Sequence, residues 1–129
     1  LIDELPILFI AAAFASGKTI IRGVEELKTK ESDRLEAMSN SLEILGVELK
    51  SYSDGIDING KSSLNSSVTI DSFGDHRIAM ASSIACSMLD GENIIKNVEN
   101  IQTSFPNFIE TCGSLGIRAE SFWLRIQIL

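Results

Sequence analysis

Ser16-Gly17-Lys18-Thr19-Ile20-Ile21-Arg22-Gly23-Val24-Glu25 and Asp90-Gly91-Glu92-Asn93-Ile94-Ile95-Lys96-Asn97-Val98-Glu99 follow one pattern: a helix stop, a short β-branched strand, then a turn. Each follows an apolar, helix-like run, and the register between them holds from Gly17/Gly91 through Thr29/Thr103. A four-residue shortening then brings Leu45-Gly46-Val47 opposite Leu115-Gly116-Ile117. Agreement at a helix end, a strand and a second helix end marks a diverged internal repeat. Each copy reads as helix, strand, helix, strand. Such units with short connections predict a layered α/β domain, sheet on one side and helices on the other.

Working outward, Pro6 to Ala15 is apolar nearly all round, the pattern of a buried helix, with Gly17 as its stop. Thr19 to Gly23 predicts a strand. From about Glu31 to Leu45, Leu35, Met38, Leu42 and Leu45 recur at helical spacing, and Gly46 ends the run. Val47 to Ser51 and Ile56 to Asn59 alternate around Asp54-Gly55, a hairpin turn signal. Lys61 to Ser67 is a polar loop. Ser72 to Asp75 resembles a capping box ahead of a buried helix over Ile78 to Leu89. Ser104-Phe105-Pro106 is expected to open the last helix, with Ser as cap and Pro in the first turn.

The 129 residues suit one domain, and 44% apolar with 22% charged is ordinary for a soluble globular protein. A net charge of −7 argues against nucleic acid or an anionic membrane as partner, but not against a small anion met by locally gathered bases. No apolar run approaches the roughly 18 residues of a membrane span. Cys86 and Cys112 lack metal-ligand spacing and read as buried free thiols, which fits a reducing, cytoplasmic setting. The chain starts at Leu1 inside an apolar segment, without initiator Met or basic leader, and reads as a fragment rather than a secreted precursor.

The charges gather at the predicted helix starts. Asp3 precedes the first buried helix and Asp75-His76-Arg77 its counterpart, while Lys28, Lys30, Glu31 and Arg34 surround the start of the amphipathic one. Equivalent helices should begin at the same end of the layer and point free N–H groups at a shared region, a place for an anion. Guanidinium forks suit carboxylate and phosphate, and a partly desolvated carboxylate such as Glu31 suits proton transfer. The plain alternative is that Asp3 and Asp75 are only caps and Lys30 with Arg34 a solvated face. His76 is the only histidine, so a metal site would need carboxylates in most positions; no metal is expected. Gly17-Lys18-Thr19 mimics the end of a phosphate-binding loop. That motif needs Gly where Ala12 stands, with a strand before and a helix after, the reverse of the order here.

Four segments carry a resemblance: Ile2-Asp3-Glu4-Leu5-Pro6, Glu25-Glu26-Leu27-Lys28-Thr29-Lys30-Glu31-Ser32-Asp33-Arg34, Gly74-Asp75-His76-Arg77-Ile78-Ala79-Met80 and Thr103-Ser104-Phe105-Pro106. In them the sequence resembles the EPSP synthase (3-phosphoshikimate 1-carboxyvinyltransferase) family, from Leu1 to about Ile117. The resemblance implies part of one domain of a two-domain inverse α/β barrel, residues 1–117, followed by a divergent tail, 118–129. It implies transfer of the enolpyruvyl group of phosphoenolpyruvate to the 5-hydroxyl of shikimate 3-phosphate, within aromatic amino-acid biosynthesis, with no cofactor. By the same resemblance Asp3 would accept a proton at the 5-hydroxyl, and Glu31 would protonate the methylene carbon and later remove a proton. Lys30 would contact the shikimate phosphate, Arg34 and Arg77 would hold phosphoenolpyruvate, and His76, Asp75 and Lys28 would line the pocket. Some members carry Lys at the position of Thr103. The family binds its substrates between two domains, so the chain is expected to be inactive without the missing N-terminal domain. A non-catalytic remnant or binding module on the same scaffold is the alternative. The related sugar-nucleotide enolpyruvyl transferases lack the Asp-His-Arg block.

Overall fold

A computed structural model describes residues 1–99, 101, 104–120 and 124–128. A 3-10 turn (Ile2–Glu4) leads into α1 (Leu5–Phe14), then β1 (Gly17–Ile21) and a second 3-10 turn (Glu25–Thr29). Next come α2 (Arg34–Ile44), β2 (Glu48–Tyr52), β3 (Gly55–Gly60), β4 (Thr69–Asp71) and α3 (His76–Cys86). β5 (Asn93–Lys96), α4 (Phe108–Ser114), β6 (Ile117–Glu120) and β7 (Leu124–Ile128) complete the order. The α/β class expected from the repeat is therefore the one observed.

The repeat is explicit in the pairing. The first sheet runs β1-β3-β2 and the second β4-β5-β7-β6, so β5, β7 and β6 repeat the arrangement of β1, β3 and β2. In both units the first strand pairs antiparallel with the third, and the second with the third. The second unit adds β4, parallel to β5. Residues 118–129, set apart above as a divergent tail, include β7, the strand between β5 and β6. The helix stops repeat as well: Gly17 and Gly91 have φ of +97° and +75°, and Gly46 and Gly116 have +84° and +80°. A left-handed conformation at a helix end favours glycine because a side chain there meets the adjoining backbone.

One continuous core joins the elements. Phe9, Ile10 and Ala13 of α1, Leu35, Met38 and Leu42 of α2, Ile56 and Ile58 of β3 and Ile78 and Ala79 of α3 are at most 3% exposed. α1 packs on α3 and β3, while α2 touches β2 and β3 of the first sheet and β4 of the second. α2 thus bridges the two sheets, and the starts of α1, α2 and α3 come together. None of the described helices is long and apolar enough to cross a membrane.

Three local expectations change. α2 opens at Arg34 rather than about Glu31, because Asp33 caps it: its Oδ1 accepts from Glu36 N at 3.0 Å. The Ser72–Asp75 capping box does not form. Asp75 is itself the cap of α3, accepting from Arg77 N and Ile78 N, while the Ser72 hydroxyl donates to Lys96 O and Asn97 O. α4 opens at Phe108 with Asn107 as its cap residue, so Ser104 and Pro106 precede it. Gln102 and Thr103 lie outside the described residues.

Candidate functional site

Three segments distant in sequence place charged side chains at the joined helix starts. Asp75 is the centre. Its carboxylate is fully buried and accepts from five donors: Ser32 N at 3.1 Å, Ser32 Oγ at 2.8 Å, Arg34 Nε at 2.8 Å, Arg77 N at 2.9 Å and Ile78 N at 3.4 Å. Capping α3 while gripping Arg34 ties the loop before α2 to the start of α3. Burial alone would raise this carboxyl, but the hydrogen bonds from Arg34 and Ser32 hold it below the ordinary aspartate range.

Arg34, itself buried, bridges onward: its Nη1 donates to Asp3 Oδ1 at 3.1 Å. Lys30 Nζ lies 3.4 Å from the same Asp3 oxygen and donates to Glu26 Oε1 at 3.2 Å. Burial pushes the Asp3 carboxyl up, and the hydrogen bond from Lys30 with the charges of Lys30, Arg34 and Arg77 more than offsets it, so Asp3 titrates below its usual value. Lys30 is correspondingly raised, first by its bond to Glu26 and also by Asp3, against an opposing desolvation. Arg77 Nη1 donates to Glu4 Oε1 at 3.0 Å and to the Asp3 carbonyl at 3.4 Å. His76 Nδ1 lies 2.5 Å from Glu31 Oε2, a hydrogen bond whose direction depends on the imidazole tautomer.

Asp3, Lys30, Glu31, Arg34, Asp75, His76 and Arg77 are therefore brought together. Lys28 is exposed in the second 3-10 turn and makes no hydrogen bond or ion pair with the rest among the described residues. Three residues of the network were not singled out from sequence: Ser32, Glu4 and Glu26. Glu26 had a signal, since it stands four residues before Lys30 on one face. Beside the network is a hollow of about 140 Å³, with Asp3, Glu4 and Arg77 at its polar end and Pro6, Ile7, Met80, Ala81 and Ile84 along its apolar wall.

Glu31, Asp75 and His76 offer ligand atoms within 4.8 Å of one another, a spacing open to a metal ion. The chemistry of the donors does not fit one. Both Asp75 oxygens already accept hydrogen bonds, and a cation there would sit against the Arg34 guanidinium. What the arrangement offers is cations at the mouth of carboxylates: anion binding next to groups able to move protons.

A family model described as EPSP synthase (3-phosphoshikimate 1-carboxyvinyltransferase) matches residues 1–112. The chain belongs to the EPSP synthase family. It is 48% identical over 119 residues to a 3-phosphoshikimate 1-carboxyvinyltransferase of Methylococcus capsulatus, covering 92% of the chain and 27% of that relative. It is 46% identical over 121 residues to one of Legionella pneumophila, covering 94% and 28%. Among solved structures, EPSP synthase from Acinetobacter baumannii superposes with a TM-score of 0.81 at 42% identity over 88% of this chain and 27% of that one. The enolpyruvyl transferase NikO from Streptomyces tendae shares the fold, with a TM-score of 0.64 at 17% identity, over 98% of this chain and 29% of that one. The chain thus spans about a quarter of the length of the EPSP synthases it matches.

Proposed function

We propose that this segment supplies one wall of an enolpyruvyl transfer site, moving the carboxyvinyl group of phosphoenolpyruvate to the 5-hydroxyl of shikimate 3-phosphate. One observation carries the reading: Asp3, Lys30, Glu31, Arg34 and Arg77, far apart in sequence, converge at the starts of α1, α2 and α3. Arg34 and Arg77 hold the phosphoenolpyruvate anion, and Lys30 takes the shikimate phosphate. Asp3 accepts the proton of the 5-hydroxyl as its oxygen attacks the enolpyruvyl carbon, while Glu31 delivers a proton to the methylene carbon, giving the tetrahedral adduct. Glu31 then removes a proton from the new methyl group as phosphate leaves. Asp75 acts by fixing Arg34, and His76 by orienting Glu31.

The Asp3 carboxyl is held below its usual range by its neighbours. Lys30, Arg34 and Arg77 stabilise its charged form. Two bound anions would compete for those cations, weaken that hold and restore Asp3 as a base when the hydroxyl is present.

The chain spans about a quarter of its relatives, so a partner wall from the rest of such an enzyme completes the site. The chain alone should release no phosphate from phosphoenolpyruvate and shikimate 3-phosphate, and mixing it with the complementary N-terminal portion should restore turnover. Release by the chain alone would overturn the two-wall reading. A tight complex without turnover would instead identify a non-catalytic module.

A further inference from the structure

Two carboxylates outside the mechanism above already occupy its cations. Glu4 Oε1 accepts from Arg77 Nη1 at 3.0 Å, and Glu26 Oε1 from Lys30 Nζ at 3.2 Å. The geometry points to Glu4 and Glu26 as displaceable counter-ions, which neutralise Arg77 and Lys30 until an anionic substrate dislodges them. They thereby determine how tightly the site takes phosphate and carboxylate groups. This deepens the enolpyruvyl transfer reading and rests on it.

The two kinds of ion pair in the network differ in physical character. The Asp75 side chain is fully buried and has four donors besides Arg34, so nothing entering from solvent replaces it. The Glu4 and Glu26 side chains are 59% and 64% exposed and, among the described residues, touch no other cation. An exposed carboxylate loses little on returning to water, so these two pairs are the ones a ligand can exchange.

Arg77 shows why exchange is favourable. Its Nε is buried with no acceptor, and Nη1 is divided between Glu4 and the Asp3 carbonyl. Glu4 contacts one edge of the fork only. A phosphate or carboxylate bound bidentately takes two parallel N–H bonds from the guanidinium where Glu4 takes one. Lys30, a point charge with three donors, needs no such geometry and simply trades Glu26 for a phosphate oxygen.

The opposing view is that Glu4 and Glu26 hold their cations in place for the ligand, and the sign of a charge-neutralising substitution separates the two. In the protein at its full natural length, Glu4→Gln should bind phosphoenolpyruvate, and Glu26→Gln shikimate 3-phosphate, roughly three- to tenfold more tightly at low ionic strength. The gain should shrink as salt is raised. Glu43→Gln, on an exposed face of α2, should change neither affinity. If a Gln variant does not fold, Glu4→Asp and Glu26→Asp, whose shorter arms fall short of the cations, should tighten binding in the same direction. Unchanged or weakened binding, with the wild type still binding both anions, overturns the counter-ion role and leaves the site reading standing. A wild type that binds neither anion overturns both.

Discussion

Asp75 shows how one residue serves packing and chemistry together. A buried carboxylate is costly unless fully hydrogen-bonded, and this one meets that condition with five donors drawn from two segments. Removing one partner of such a buried pair costs about 3–5 kcal/mol. Asp75→Asn should therefore lower unfolding stability by about 3 kcal/mol in denaturant titration at neutral pH. The loss should depend on pH in a defined sense. The folded-state pKa of Asp75 is depressed, so its stabilisation is complete above the unfolded value of about 4 and fades as pH falls through the folded one. The gap between wild type and variant should accordingly narrow in acid; a gap that widened there would contradict the pairing. The sequence made Asp75 visible as a cap candidate, but not its grip on Arg34, 41 residues earlier. Propensity and spacing describe what a residue does to its own helix. They are silent on which side chain arrives from another, and for that reason Glu4 and Ser32 went unremarked.

Elements were more legible than contacts, because the signals that define them are local. Asp54-Gly55 located the β2–β3 hairpin, and the periodic Leu35, Met38 and Leu42 located α2. Where two caps competed, the choice was hidden: Ser32 and Asp33 both suit the start of α2, and Ser32 is instead drawn to Asp75. β4 leaves no sequence signal because three residues give no alternation to detect, and it exists through its parallel pairing with β5. Close approach of elements is likewise invisible in sequence. At Gly60, the last residue of β3, an added Cβ would lie 1.6 Å from Ala15 O and 2.6 Å from Ala12 O, both backbone atoms at the end of α1. No rotamer relieves that overlap, so β3 and α1 would have to separate. Gly60→Ala should cost more than about 4 kcal/mol, the range of strain in a packed core, and should show as loss of the folding transition or a steep fall in its midpoint. A variant within about 1 kcal/mol of wild type would mean that α1 does not pack on β3 as described.

At the scale of the whole molecule, the two units are unequal where the repeat says they should match. β5 is covered by β4 on one side and β7 on the other, whereas β1, its counterpart, pairs only with β3 among the described residues. Every second backbone group of β1 therefore faces outward without a strand, and an open edge of this kind is a template for pairing. Apolar surface lies open as well: Leu8 of α1 is 46% exposed and Ile84 of α3 is 38% exposed. A helix apolar nearly all round is built for burial on all sides, and α1 has a covered side and an open one. Edge and surface together predict how a complementary N-terminal portion would associate with this segment. On forming the complex, the outward amides of β1 should exchange hydrogen at least tenfold more slowly, while those already bonded to β3 change less. The amides of β5, covered in both states, serve as the internal reference. Restored turnover with no added protection at β1 would place the junction elsewhere and remove the equivalence of β1 and β5 as its guide. Protection confined to alternate residues of β1 would show that the second unit of this chain already contains the pattern by which the first is completed.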